Sequence, residues 1–316
     1  MKNIRYILFL LLAAPVAMAQ NGEEVFTFLR YPFSARVNAL GGNTVSLIER
    51  DPSLSFHNPA LLGAEMDKMI NLNYMNFISD INLGSALFTK AIGERSAWGI
   101  AANFISYGNF KQTTEENMIT GDFSVKDIGL HAFYSKNLSE RWRGGLSLKF
   151  LYSSLESYTS LGLAVDAGLS YYNSENDFSF GITLKNIGAQ LKAYDEKRYK
   201  MPWDIQLGLS KKMTYAPFRF SLTAMYLPDF SFKSFTKHWV LGLDYVPSDN
   251  FWVGIGFNPK TTIDMKLQGG NTLSGFSAGA GISISMFDIG VSVAKYHPSA
   301  LSLMMSISTT LSDFKP

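Results

Sequence analysis

The sequence predicts an all-β fold: a 14-stranded antiparallel transmembrane β-barrel with an N-terminal luminal plug. From about residue 69 onward, apolar and polar residues alternate, which gives a strand one apolar and one polar face. Most of the alternating segments are 10 to 13 residues long, and the connections between them sort by length. The predicted domains are a signal peptide (1–19), a plug (20–68) and the barrel (69–316).

The composition fits a wall of strands better than a bundle of helices. Of the 316 residues, 17% are charged and 47% are hydrophobic, whereas ordinary soluble domains carry about 25% charge. After residue 16, no apolar run reaches the roughly 18 to 20 residues that a transmembrane helix needs. The chain has no cysteine, which excludes a disulfide scaffold, thiolate metal sites and cysteine nucleophiles.

The first nineteen residues have the pattern of a secretory signal peptide. Lys2 and Arg5 precede an apolar core at 6–14, and Ala17 and Ala19 are the small residues that a signal peptidase reads. Cleavage would leave a chain that begins at Gln20 with as many acidic as basic residues. A chain with no net charge lacks the basic surface that binds phosphates, so nucleic acid is not an expected partner.

Residues 20–68 do not alternate and are interpreted as loops and short helical turns. Asp51 and Asn58 are suitable N-cap residues, and each is followed by a proline at the first helical position. Such capped turns satisfy their own backbone groups, which favours a compact plug inside the barrel. A periplasmic extension is the alternative. The motif residues of this segment are Leu40, Gly41 and Gly42; Asp51, Pro52 and Ser53; and Asn58, Pro59 and Ala60.

Fourteen segments alternate in the manner of strands. One example is 203–210, where apolar residues stand at the odd positions and polar or small ones at the even positions. A tilted membrane-spanning strand needs about 9 to 11 residues, and only a closed sheet leaves no unpaired backbone edge in lipid. The predicted strands are 69–78, 81–92, 95–106, 126–138, 142–153, 160–173, 177–187, 203–212, 217–227, 236–247, 250–258, 274–285, 287–296 and 300–311.

The connections and the tryptophans support the same architecture. Every connection after an even-numbered strand is short, whereas the long ones (107–125, 188–202, 228–235 and 259–273) all follow odd-numbered strands. Outer-membrane barrels have short periplasmic turns and longer extracellular loops, so both chain ends are expected on the periplasmic side. All five tryptophans lie within four residues of a predicted strand end, where indole rings favour the headgroup interface.

The order of the N-terminal motifs resembles that of the FadL-like outer-membrane barrels, in which an Asn-Pro-Ala plug motif precedes fourteen strands. The fuller motifs at 38–42, 51–54 and 58–62 resemble most the type IX secretion barrels of Bacteroidetes, the PorQ family first and the PorV family second. The resemblance implies a place in an outer-membrane attachment complex. A PorQ-like member would anchor a surface-exposed, PorZ-like partner there, beside the other members of the complex and the outer-membrane lipid.

Little in the sequence indicates catalysis. No two of the four histidines (His57, His131, His238 and His297) lie within five residues of each other, so no local pair has metal-ligand spacing. No local serine–histidine pair suggests a nucleophile and its base. We therefore expect no enzyme activity, no metal and no cofactor. Lys149, Asp166, Lys185 and Asp244 fall on luminal faces, and we interpret them as polar lining rather than as a substrate path.

Two functions remain open at this point. The first is an assembly protein whose outer loops hold a secretion partner, and the second is a transporter of hydrophobic small molecules, as in FadL-like proteins. A PorV-like cargo-shuttling role is a variant of the first. Exposed aromatic residues in polar surroundings suit a protein interface. The candidate partner-binding residues are Tyr194 and Tyr199 in one loop and Phe230, Phe232 and Phe235 in another.

Overall fold

The computed structural model describes residues 24–113, 118–265 and 273–311. It shows one closed barrel of fourteen strands, in which each strand pairs antiparallel with its sequence neighbours and β1 closes the ring against β14. This confirms the predicted fold class. In the described part of the chain, none of the helices has the length and apolarity needed to cross a membrane. The predicted signal peptide lies outside the described residues, as does the chain end after residue 311.

The strands differ in length around the ring. They are β1 Met69–Ile78, β2 Ile81–Ile92, β3 Ser96–Thr113, β4 Ile119–Asn137, β5 Trp142–Leu155, β6 Tyr158–Asn173, β7 Phe178–Lys192, β8 Asp204–Lys212, β9 Phe218–Ala224, β10 Trp239–Ser248, β11 Phe251–Phe257, β12 Phe276–Ile284, β13 Phe287–His297 and β14 Ala300–Thr310.

The predicted loop 107–125 is wrong, because β3 and β4 continue as a paired ribbon to Thr113 and from Ile119. Gly108, at φ +85°, shifts the register of this ribbon between Ser106 and Asn109. A bulge of this kind moves the residues that follow it to the opposite face of the strand. The alternation of apolar and polar residues is therefore interrupted in the sequence. The other long connections remain, at 193–203, 225–238 and 258–275. All three follow odd-numbered strands, and we call their side of the barrel the long-loop end and the opposite side the short-turn end.

Burial alternates along the strands, with polar or small side chains inward and apolar ones outward over most of the ring. Trp98, Trp142, Trp203 and Trp239 lie on outward positions at strand ends. Trp252 differs from the predicted pattern: its indole lies beneath the guanidinium of Arg36, 4.7 Å from Cζ, inside the barrel. The inward position follows from the register of β11, in which the even residues face the lumen.

The N-terminal segment fills the lumen. Its elements are an α-helix, α1 (Ala35–Ala39), and 3-10 turns at Thr27–Arg30, Pro52–Phe56, Pro59–Leu61 and Ala64–Met66. On the side of β1 to β5, the inward residues include Met75, Leu83 and Leu151, which form one buried apolar cluster with plug residues such as Phe28. These inward positions are apolar because they pack against the plug rather than against water.

The adjoining wall of the lumen, β12 to β14, is lined by serines that hold α1. The backbone N–H of Ala35 donates to Ser306 Oγ (2.8 Å), and Asn38 Nδ2 donates to Ser292 Oγ (2.9 Å). Ser277 Oγ donates to the carbonyl of Ala39 (2.9 Å). A short helix leaves backbone N–H and C=O groups unsatisfied at its two ends. The serines of this wall supply hydrogen-bond partners for some of them.

Candidate functional site

The Asp51 and Asn58 motifs form the capped turns that the sequence predicts. Asp51 Oδ1 accepts the backbone N–H of Ser53 (2.9 Å), and Asp51 Oδ2 accepts Ser34 Oγ–H (2.9 Å), so this one carboxylate ties two plug elements together. Asn58 Oδ1 accepts the N–H of Ala60 (3.0 Å), and Asn58 Nδ2 donates to the carbonyl of Val45 (2.8 Å). These contacts give both motifs a role in the internal structure of the plug.

Glycines of the wall let the plug motifs approach the strands closely. A Cβ placed on Gly256 would lie 2.0 Å from the backbone N of Gly41, and one placed on Gly145 would lie 2.3 Å from the carbonyl carbon of Pro59. Gly41 itself has φ +95°, a left-handed conformation that L side chains rarely adopt. The Leu40-Gly41-Gly42 motif therefore lies where backbone meets backbone, and larger residues would not fit there.

An ion-pair cluster fastens the plug near the short-turn end. Arg219 of β9 donates to Glu49 Oε1 (2.6 Å) and to Asp244 Oδ2 of β10 (2.7 Å). Arg36 of α1 lies 3.4 Å from the same Glu49 oxygen. Burial alone raises the pKa of Glu49, but the charges of Arg36 and Arg219 outweigh it and hold that pKa below its ordinary value.

A cavity of about 310 Å³ lies between the plug and the long-loop end. We call it the rim cavity. This volume is at the lower end of the range of about 300–1,000 Å³ for small-molecule sites. Its lining comes from the plug, from the inner faces of β1, β7, β8 and β13, and from the connections after β9 and β11. The second of these connections carries a short helix, α2 (Pro259–Asp264).

One side of the rim cavity is aromatic. The ring of Phe77 lies between those of Tyr31 and Tyr296, with centroid distances of 4.7 Å and 5.2 Å. Tyr226 lies at another edge of the cavity, with Arg30 Cζ 4.8 Å and Lys260 Nζ 5.1 Å from its ring centroid. Aromatic rings offer large apolar faces with little conformational freedom to lose, so this side is suited to a flat apolar group.

The other side of the rim cavity is polar and sparsely paired. Lys185 of β7 stands opposite Asp204 of β8 in the strand register, and both are buried. Within the described residues, no ion pair within 4.0 Å joins them, and no hydrogen bond of the Lys185 ammonium is present. Asp204 Oδ2 accepts Gln206 Nε2–H (2.8 Å), whereas Asp204 Oδ1, Gln206 Oε1 and Asn43 Oδ1 are buried with no hydrogen-bond partner in the described part.

His57 completes the polar side. It is 3% exposed, and neither ring nitrogen has a hydrogen-bond partner among the described residues. Burial lowers the pKa of His57 well below its ordinary value, and the positive charges of Lys185 and Lys149 lower it further. The ring is therefore neutral at physiological pH, with one N–H donor and one acceptor that no described residue uses.

The predicted partner-binding loops fall into two groups. Tyr194 and Tyr199 are half-buried and pack against the apolar cluster of the lumen. The Tyr194 hydroxyl donates to Ser153 Oγ. Phe230, Phe232 and Phe235 are instead exposed, by 39%, 89% and 46%, and form an edge-to-face cluster with centroid distances of 5.5 and 6.2 Å from Phe230. We call these three residues the phenylalanine cluster.

Comparison with known proteins finds similarity in structure but not in sequence. No family model and no curated protein matches the chain. Among solved structures, the toluene transporter TodX of Pseudomonas putida aligns over 89% of this chain and 98% of its own, at 12% identity and a TM-score of 0.59. The toluene transporter TbuX of Ralstonia pickettii covers 90% and 100%, at 12% identity and a TM-score of 0.56. A Pseudomonas aeruginosa FadL homologue covers 91% and 98%, at 14% identity and a TM-score of 0.52.

The chain has the fold of the FadL-like outer-membrane barrels. At 12–14% identity, the shared feature is the fold, and a fold alone hosts many functions.

The site contains residues that the sequence did not single out, namely Tyr31, Phe77, Asp204, Gln206 and Tyr296. Asp204 and Gln206 are even-numbered polar residues of an alternating strand, so their inward position could have been inferred. Their meeting with the plug could not, because it depends on the path of residues 24–66. In the described ranges, no cluster of three or more histidine, aspartate or glutamate residues is placed to hold a metal ion.

Proposed function

We propose that this protein is an outer-membrane channel for small hydrophobic molecules, which enter through the rim cavity. The observation that carries the proposal is the aromatic side of this cavity, which is open to the loops above and bounded by the plug below. TodX and TbuX, which have the same fold, are toluene transporters. The small volume of the cavity favours a molecule with a single ring over one with a long chain.

The test is uptake of single-ring solutes by cells of a host that lacks such channels. The panel comprises toluene, 3-phenylpropionate, 2-phenylethylamine and phenylalanine. We expect at least one of them to enter faster with the protein than with an empty vector. Thr261 lies on α2 in the cavity wall, so Thr261→Trp should fill the cavity and slow that uptake severalfold. Thr236→Trp is the control, because Thr236 is exposed and is not part of the cavity lining. Equal uptake in all four strains would contradict the proposal.

We infer a second candidate function from the phenylalanine cluster: attachment of a surface-exposed partner, as the resemblance to the type IX secretion barrels implies. Three exposed phenylalanines in contact with one another at the long-loop end are the observation that favours it. Aromatic anchors contribute strongly to protein interfaces. A PorQ-like anchor and a PorV-like shuttle would both use such a surface.

Affinity purification from mild-detergent membranes of the native host tests this candidate. Deleting the gene should release a surface protein, and replacing Phe230, Phe232 and Phe235 by serine should abolish its co-purification. Tyr215→Ser is the control, since Tyr215 is fully exposed in the connection between β8 and β9, at the short-turn end. Undiminished co-purification with the triple variant would show that the cluster does not bind the partner.

A further inference from the structure

The rim cavity is more polar than a hydrocarbon requires. Toluene offers no group that could pair with the ammonium of Lys185 or with the buried acceptors of Asp204, Gln206 and Asn43. Enclosing such groups unpaired behind an apolar ligand costs free energy, because the water around them is lost and no hydrogen bond replaces it. The polar side therefore indicates that the ligand itself carries polar groups.

The arrangement of the charges narrows the class of ligand. Lys185 and Asp204 are register partners on adjacent strands and both face the lumen, yet they form no ion pair with each other. A cation and an anion that stand side by side without neutralising each other can receive a carboxylate and an ammonium group of one molecule. The three unsatisfied acceptors, on Asp204, Gln206 and Asn43, match the several N–H donors of an ammonium group.

The apolar half of the same ligand has its own surface. Tyr31, Phe77 and Tyr296 form a continuous aromatic wall that lines the same cavity as Lys185 and Asp204. Offset and edge-to-face contacts of these rings with a further ring would stabilise it there. The volume of about 310 Å³ leaves room for one ring and a short polar head.

We propose that the rim cavity binds a small aromatic zwitterion of the α-amino acid class, with its carboxylate on Lys185, its ammonium group at Asp204 and its ring on the aromatic wall. This inference rests on the proposed channel function and narrows its solutes from small hydrophobic molecules in general to those that carry a charged head group beside an apolar ring. It distinguishes this chain from a channel for neutral hydrocarbons, because it makes Lys185 and Asp204 the residues that determine specificity.

Calorimetric titration of the detergent-solubilised protein at neutral pH tests the proposal with four probes: phenylalanine, 3-phenylpropionate, 2-phenylethylamine and toluene. Phenylalanine should bind most tightly. The probe without an ammonium group (3-phenylpropionate) and the probe without a carboxylate (2-phenylethylamine) should each bind roughly tenfold or more weakly, since each loses a charge-assisted hydrogen bond. Toluene should bind most weakly. Equal binding of toluene and phenylalanine, equal binding of phenylpropionate and phenylalanine, or no binding of any probe would overturn the proposal.

Variants of Lys185 and Asp204 test which residue binds the carboxylate and which binds the ammonium group. Lys185→Met should remove the advantage of phenylalanine over 2-phenylethylamine, and Asp204→Asn should remove its advantage over 3-phenylpropionate. Lys185→Arg keeps the charge and should keep the order of the probes, which also covers the case in which Lys185→Met does not fold. Lys192→Met is the control, because Lys192 lies on the same strand but is exposed and outside the cavity lining. Unchanged phenylalanine binding in Lys185→Met would overturn the assignment.

The two proposals can fail separately. If binding shows no preference for the zwitterion but Thr261→Trp still slows uptake of one of the solutes, then the channel function stands and the ligand class is wrong. If no solute of the panel is taken up while phenylalanine binds with the expected dependence on Lys185 and Asp204, then the cavity is a binding site and the channel function is wrong.

Discussion

A single outward side chain tests which face of the wall meets lipid. Leu207 lies halfway along β8 on the outward face, next to the exposed Leu209. An arginine at the bilayer midplane of a barrel costs about 2–4 kcal/mol, and one near the interface costs about 0–1. Leu207→Arg should therefore lower the free energy of unfolding by about 2–4 kcal/mol, measured by urea titration in lipid vesicles.

Phe218 provides the matched control for depth. It is an outward residue at the first position of β9, close to the short-turn end, so Phe218→Arg should cost much less than Leu207→Arg. Equal losses for both variants, or no loss for either, would show that β8 and β9 do not cross the bilayer with these faces outward.

The network of Arg36, Glu49, Arg219 and Asp244 joins the plug to β9 and β10. Glu49→Gln would leave two arginines beside one aspartate. Breaking a buried pair costs about 3–5 kcal/mol, but the Glu49 side chain is 27% exposed, so we expect about 1–3 kcal/mol. In Glu49→Gln, hydrogen–deuterium exchange of residues 35–66, measured by mass spectrometry, should therefore be faster than in the wild type, because the plug is held less tightly. Glu65→Gln is the control, because the Glu65–Arg143 pair is more exposed, at 44% for Glu65.

The same network predicts a response to acid. Because the pKa of Glu49 in the folded protein lies below its ordinary value of 4.5, its contribution to stability is present at neutral pH. It is lost as the pH falls through the pKa of the folded state. Protection of the plug amides, corrected for the intrinsic pH dependence of exchange, should therefore fall below about pH 4.5 in the wild type, and this step should be absent in Glu49→Gln. An identical acid response in the two proteins would show that another group controls it.

The sequence predicts elements well where lipid imposes a regular pattern. β1 and β2 occupy the predicted residues 69–78 and 81–92, since each of their residues faces either lipid or the plug. The sequence does not predict the ribbon of β3 and β4 beyond Ser106. Both faces of this ribbon are largely exposed, so neither needs to be apolar, and the bulge at Gly108 interrupts the alternation. Of the candidate site, alternation predicts the inward position of Lys185. Alternation does not predict that Lys185 stands opposite Asp204, because this depends on the register of β7 on β8. It does not predict that Tyr31 lines the same cavity either, because this depends on the path of the plug.

The plug and the wall form one packed body, so in the proposed channel a solute can pass through the barrel only when part of the plug moves. Hydrogen bonds from Ser277, Ser292 and Ser306 hold α1, and Arg219 holds Glu49. The turn at Pro59 lies directly against the glycines of β5 and β6. The rim cavity ends on this packed layer. In the proposed channel, binding in the cavity and transport past the plug are therefore separate steps, and a variant can block the second without affecting the first.

A disulfide between plug and wall separates these steps. A Cβ placed on Gly290 would lie 3.3 Å from Ala35 Cβ, close to the separation of about 3.5–4.5 Å that disulfides adopt. The chain has no cysteine of its own, so Ala35→Cys with Gly290→Cys forms a single defined bond. In the oxidised state, the double variant should bind solute in the rim cavity as the wild type does, because neither position is part of the cavity lining, but its uptake should stop. Reduction should restore uptake, and Ala35→Cys alone should not respond to oxidation. Full uptake with the bond intact, verified by peptide mapping, would show that solutes leave the cavity by a route that does not require α1 to move.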